Sequence, residues 1–293
     1  MTRPSFDLQA HSTCSDGELA PRAVVAAARG AGVELLALTD HDTVDGVDEA
    51  LDAAAAEGIR VVPATELSSI DGAQEDLHVL GYGVDHRSEA FRDALARFCA
   101  DRLARCERMA AALREAGFEL DFPDRGERPV GRPHLAQAAF EHPANSMRLR
   151  EEQIVNFSEL LERYLVPGAP AYRRRTTPTV AEAIEAIHAA GGVAIWAHPF
   201  WDVDAGEDVL GAIDRFAAAG LDGVEAFYAT HTEPQTRLVA EHCARRGLLT
   251  TGSADFHGPG HPRFNRFRAF ELYGLEPHLG PIGSSAVAFR RGQ

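Results

Sequence analysis

A chain of 293 residues with 45% hydrophobic side chains has enough apolar material for a sizeable core, in one large domain or two ordinary ones. Its formal net charge of −15 repels long polyanions and argues against duplex nucleic acid as a partner. The polar opening Met-Thr-Arg-Pro-Ser-Phe-Asp-Leu and the absence of any apolar stretch of about 18 residues lead us to expect a cytoplasmic protein with no signal peptide and no membrane partner.

From Phe6 to Leu80 short apolar runs alternate with Ala-rich amphipathic stretches. The pattern predicts a strand at Phe6-Asp7-Leu8, a helix from Pro21 to Ala31, a strand from Leu35 to Thr39, a helix from Val44 to Glu57 and a strand from Ile59 to Thr65. Residues 88–170 break this rhythm: they are rich in Arg, Glu, Ala and Leu and read as a helical insertion. Cys99 and Cys106 fall there a heptad apart; with Cys14 and Cys243 they form no Cys-x-x-Cys pair and read as reduced thiols. Alternation then resumes with helix Val180–Ala190, strand Val193–Trp196, a helix near Val209–Ala219, strand Gly223–Phe227, helix Glu233–Arg246 and strand Leu248–Thr251. Strand-helix repetition at this spacing predicts an α/β parallel sheet or barrel, built from 1–87 and 171–293.

His, Asp and Glu concentrate just after these strands. Gln9, His11 and Asp16 follow the first, Asp40-His41-Asp42 the second and Glu66 the third; His78 precedes Leu80-Gly81-Tyr82. His198-Pro199 follows Trp196, His231 follows Phe227, and Asp255-Phe256-His257 follows Thr251. Imidazole and carboxylate are ligand types for Zn, Mn and Fe, and parallel strand ends converge on one face. A single histidine there is more often a hydrogen-bonded loop residue, but so many at equivalent positions point to a shared metal cluster.

Asp7-Leu8-Gln9-Ala10-His11-Ser12, Ser15-Asp16-Gly17, Thr39-Asp40-His41-Asp42, Glu66, His78, His198-Pro199 and Ser253-Ala254-Asp255-Phe256-His257, in this order, resemble the polymerase and histidinol phosphatase (PHP) family of phosphoesterases. Within that family the likeness is to small bacterial enzymes that dephosphorylate nucleotides and nucleoside 3',5'-bisphosphates. It implies a distorted (β/α)7 barrel with a helical insertion and two or three divalent ions (Mn, Fe or Zn). One ion would take His11, Glu66 and Asp255; a second Glu66, His78 and His198; a third Asp16, His41 and His257. The family pattern has histidine where this chain has Gln9, and an amide oxygen is a weaker ligand for such ions. Gln9 is therefore either a loose ligand or a hydrogen-bond partner of a ligand.

The resemblance further implies hydrolysis of a phosphate monoester of a small molecule, a nucleotide or nucleoside bisphosphate, by a metal-bound hydroxide, without a side-chain nucleophile. His41 and His257 are candidates for proton transfer to the leaving group. Arg132 and His134 in Gly131-Arg132-Pro133-His134 match a substrate-facing motif, Arg132 as the phosphate clamp; Arg173, in Tyr172-Arg173-Arg174-Arg175, and His231 are further substrate-binding candidates. Phe200 and Trp201 either stack on a base or pack in the core. A histidinol-phosphate-like or sugar phosphate phosphatase, an RNA-end nuclease, and a metal-binding module without activity stay open as alternatives. Oligomeric state is not legible.

Overall fold

The computed structural model describes residues 4–72, 74–123, 130–201, 203 and 205–284. The chain divides into two compact units, one of residues 1–95 and 178–293 and the other of residues 96–177. These boundaries fall somewhat C-terminal to the expected 87/88 and 170/171.

In the first unit the elements run β1 (Phe6–Asp7), α1 (Pro21–Gly30), β2 (Leu35–Leu38), α2 (Val47–Glu57), β3 (Arg60–Asp71) and β4 (Gln74–Tyr82). Next comes α3 (Glu89–Glu115), which continues into the second unit together with α4 (Arg132–Glu141), α5 (Ser146–Glu151) and α6 (Phe157–Tyr164). The first unit resumes with α7 (Val180–Ala189), β5 (Val193–Trp196), α8 (Gly206–Ala218), β6 (Gly223–Tyr228), α9 (Glu233–Arg246) and β7 (Leu249–Ser253).

The seven strands form one sheet in sequence order. The sheet curls round on itself: Leu8 N–H donates to Gly252 O at 3.2 Å, and Ala10 bridges to Phe256 in parallel, joining the first strand's exit to the last's. This is the expected distorted (β/α)7 barrel. Strands buried on both faces read as continuous apolar runs, as in the wholly buried Leu-Leu-Ala-Leu of β2. Through Val24, Val25 and Ala28, α1 buries its apolar stripe against the sheet and α2, packing with Leu36, Leu38 and Ala50.

Two expectations fail at the third strand. β3 does not stop at Thr65 but runs on to Asp71, and it pairs with β4 antiparallel, as β4 does with β5. Glu66 therefore lies inside β3, and His78 inside β4, rather than at the ends of parallel strands. Ser68 pairs with His78, so by the two-residue period of the pleat Glu66, Ser68 and His78 share one face. An internal hairpin thus does for these two groups what strand ends do for the others.

Among its described residues the second unit has helices and no strand, packed around Met109, Leu113, Phe118, Leu135, Leu160 and Leu165. The Arg148 guanidinium lies over the Phe118 ring at 4.0 Å and pairs with Glu152 at 2.6 Å, and Glu152 also accepts from the Tyr164 hydroxyl at 2.7 Å. No disulfide joins any of the four cysteines.

Candidate metal centre

The loop after β1 carries His11 and Asp16 and is folded by its own side chains. Asp40, buried after β2, accepts from Ser12 N–H, Ser12 Oγ and Ser15 Oγ, each at 2.7 Å. Gly17 N–H donates to Ser12 O at 2.9 Å, and a Cβ on Gly17 would sit 2.3 Å from His11 O, so only glycine closes this turn. Asp40 is therefore the post that sets Asp16 opposite His11.

The carboxylate of Glu66 is the hub. One oxygen lies 3.1 Å from His11 Nε2 and 3.6 Å from His41 Nδ1. The other lies 2.7 Å from His78 Nδ1 and 3.2 Å from His198 Nε2. Its two oxygens thus face two different pairs of imidazoles. His11 Nε2 is also 3.1 Å from Asp255 Oδ1. Asp16 closes the far side, 3.6 Å from His11 Nδ1 and from His257 Nε2 and 3.7 Å from His41 Nε2. Two sets, His11/Asp16/His41/His257 and His41/Glu66/His78, each have ligand atoms within 4.8 Å of one another.

Donor chemistry and burial test whether metal fits. His11 and Glu66 are wholly buried, yet His11 Nδ1 and Nε2, His41 Nδ1 and Asp255 Oδ1 have no well-formed hydrogen bond. Leaving such groups unpaired costs about 1–3 kcal/mol each, more when charged, so a site that converges them without partners is built for a cation. Burial opposes charge on His11, but Asp255 and Glu66 beside it hold the imidazole well above its usual range. Burial likewise opposes charge on Glu66, but His41 and His78 hold the carboxyl well below its usual range. Burial dominates at His41 and lowers it to about 4.

Around the cluster lie groups that sequence reasoning did not single out. Tyr228 hydroxyl donates to Asp255 Oδ2 at 2.7 Å. Glu225, wholly buried in β6, accepts from His198 N–H at 3.0 Å and sits 2.6 Å from Ser253 Oγ. Ser253 Oγ–H donates to Glu225 Oε1 and also lies 3.3 Å from Gln9 Oε1, while burial pushes the Glu225 carboxyl well above its usual range. Gln9 Nε2 in turn donates to Glu66 at 3.0 Å. The Gln9 amide is hydrogen-bonded at both ends in this chain. A glutamate inside the otherwise apolar run Gly-Val-Glu-Ala-Phe-Tyr was the available sign of the Glu225 end. His198 and Asp255 adopt φ of 29° and 55°, left-handed backbone that these bonds help to hold.

His231 stands apart from the ligand atoms. It is buried between the rings of Phe200 and Tyr228, Nδ1–H donates to Ala226 O at 3.1 Å, and burial lowers it to about 4. Arg132, His134 and Arg173 belong to the helical unit. There Arg132 begins α4, His134 Nδ1 accepts from Gly131 N–H at 3.0 Å, and Arg173 donates to Pro170 O and Tyr172 O.

The PHP domain family matches residues 7–165. A 3',5'-nucleoside bisphosphate phosphatase of Chromobacterium violaceum is 33% identical over 263 residues, covering 87% of this chain and 88% of that protein. The chain belongs to the PHP family. Like other PHP proteins it is a metal-dependent phosphoesterase. A 5'-3' exoribonuclease of Haemophilus influenzae is 32% identical over 254 residues, covering 87% of this chain and 90% of that one. A solved metal-dependent phosphoesterase from Bifidobacterium adolescentis superposes with a TM-score of 0.72 at 28% identity, over 89% of this chain and 91% of that one. No helix among the described residues is long and apolar enough to cross a membrane.

Proposed function

We propose that this PHP enzyme hydrolyses the phosphate monoester of a nucleotide or nucleoside bisphosphate. The observation that carries the reading is the Glu66-centred cluster, in which His11 Nδ1 and Nε2, His41 Nδ1 and Asp255 Oδ1 are buried without a well-formed hydrogen bond. Similarity over most of the chain to a bisphosphate phosphatase supports the substrate class. His11, Glu66 and Asp255 would hold one ion; Glu66, His78 and His198 a second; Asp16, His41 and His257 a third. Divalent ions bound there supply Lewis-acid polarisation of the phosphoryl group and lower the pKa of a water.

The chain's own residues do the rest. Glu66 offers one oxygen to each half of the cluster and fixes their separation. Tyr228 orients Asp255, while Glu225 holds the backbone of His198. Where an ion does not engage them, His41 and His257, partly exposed beside Asp16, are the candidates to hand a proton to the departing alkoxide. Gln9 serves Glu66 as a hydrogen-bond donor rather than as a ligand.

RNA 5'-end hydrolysis is a second reading, favoured by the similarity to the Haemophilus exoribonuclease and opposed by the net charge of −15. The test is a turnover screen of Mn-loaded protein against adenosine 3',5'-bisphosphate, AMP, ribose 5-phosphate, histidinol phosphate and a short 5'-phosphorylated RNA. Highest kcat/KM on the bisphosphate or AMP is expected. Preference for the RNA or for the esters lacking a nucleobase would replace this assignment.

A further inference from the structure

The mechanism leaves unused an aromatic wall beside the ligands. Trp201 follows His198 by a tight turn in which its N–H donates to His198 O at 2.9 Å, and its ring lies 6.3 Å from that imidazole. Phe264 sits behind the indole at 5.8 Å and also touches the rings of Tyr228 at 6.0 Å and His257 at 5.7 Å. His261 stacks on Phe264 at 5.2 Å and contacts His257 at 5.1 Å. The wall therefore touches ligands on both sides of the cluster, His198 on one and His257 on the other.

Within it Phe264 is buried, as a packing residue is, whereas Trp201 keeps 47% of its surface exposed. An indole left half in water beside a charged cluster forgoes burial that a core tryptophan would gain. The Arg263 guanidinium lies over it, 5.4 Å from the ring, a cation–π contact that an entering base would displace to the side. A nucleobase has the same flat π face and stacks on such a ring whatever its hydrogen-bonding edge.

We infer that Trp201, backed by Phe264 and flanked by Arg263, is the stacking platform for the base of a nucleotide whose phosphate lies at the ion cluster. This rests on the nucleotide reading above and supplies its specificity-determining residue: the sugar spans from the cluster to the indole. Esters without a planar leaving group gain nothing from it.

The test compares kcat/KM for AMP and ribose 5-phosphate in the Mn-loaded enzyme and in Trp201→Ala and Trp201→Phe. Loss of one base stack should lower the AMP preference of Trp201→Ala about tenfold, through KM, while Trp201→Phe keeps it within a few-fold. An unchanged preference in Trp201→Ala overturns the assignment. Should either ester not be turned over, fluorescence decides, because the chain has two tryptophans and Trp196 is buried. Saturable quenching of the Trp201 emission by AMP and not by ribose 5-phosphate then upholds the platform even as the hydrolytic reading falls. Absence of quenching removes it.

Discussion

Two buried polar sets, one in each unit, are treated in opposite ways. Asn145 of the helical unit is 2% exposed and fully engaged: its Nδ2 donates to Glu119 O and Ala139 O at 2.6 Å each, and its Oδ1 accepts from Glu119 N–H at 2.9 Å. His11 of the barrel is 0% exposed, and its two ring nitrogens have carboxylates near them but no well-formed hydrogen bond. Polar burial that serves structure satisfies itself, because an unmade bond is costly. Polar burial that serves function stays open at the point where a ligand completes it. What sets the cluster apart is that several such atoms, His11 Nδ1 and Nε2, His41 Nδ1 and Asp255 Oδ1, converge around one carboxylate.

The sharpest way to break the contrast is to remove the hub. Glu66→Ala should lose bound metal, measured by elemental analysis, and lower kcat by roughly 10²–10³-fold or more, the scale of losing a preorganised charge-stabilising group. The same experiment carries a stability arm: Mn at a hundredfold excess over Kd should stabilise the native enzyme by about 2.7 kcal/mol, and Glu66→Ala should lose most of that gain in a thermal melt. Retained metal and turnover in Glu66→Ala would show that the barrel set is structural after all.

Asn145→Ala is the mirror experiment. It removes the partner of Glu119 N–H and of two carbonyls, one of them buried, and should cost about 1–3 kcal/mol in denaturant unfolding, with metal content unchanged. A loss below about 0.5 kcal/mol would mean that burial of satisfied polarity contributes little in the helical unit.

Gln9 sharpens the comparison inside the barrel, since it is buried like the ligands but hydrogen-bonded like Asn145. Gln9→His should exchange that bonded amide for an imidazole lone pair and tighten an ion by about tenfold in a calorimetric titration, the scale at which neighbouring groups tune a metal site. Unchanged affinity would show that the position lies out of reach of any ion.

The smallest effect is expected where only local structure is at stake. Thr179 and Glu182 cap α7 reciprocally, with Glu182 N–H donating to Thr179 Oγ1 at 3.2 Å and Thr179 N–H to Glu182 at 2.7 Å. Thr179→Ala should cost about 1 kcal/mol of stability and leave metal binding intact. A change in metal stoichiometry would reveal coupling from this helix to His198 beyond the strand it precedes.

Apolar runs bounded by glycine, together with helical spacing of alanine and leucine, were enough to place nearly every helix and parallel strand, since burial on both faces writes itself into composition. The ordered His, Asp and Glu residues marked the barrel's chemistry for a similar reason: such groups stand in otherwise apolar surroundings only when something compensates them. The β3–β4 hairpin was not legible, because whether an extended run pairs parallel or antiparallel depends on a partner distant in the chain. Glu225 stood out only as a glutamate in an apolar strand; its partners appeared when folding set it under the His198 backbone and beside Ser253. Sequence by itself determined the element types, the α/β class and the roster of ligand candidates, all of which follow from local pattern and residue chemistry. Only the tertiary structure decided that Glu66 divides its oxygens between two imidazole pairs, that the Gln9 amide is bonded at both ends and that Trp201 stays exposed beside His198. Those are relations among residues up to 244 positions apart, fixed by barrel closure and strand register rather than by any neighbour along the chain.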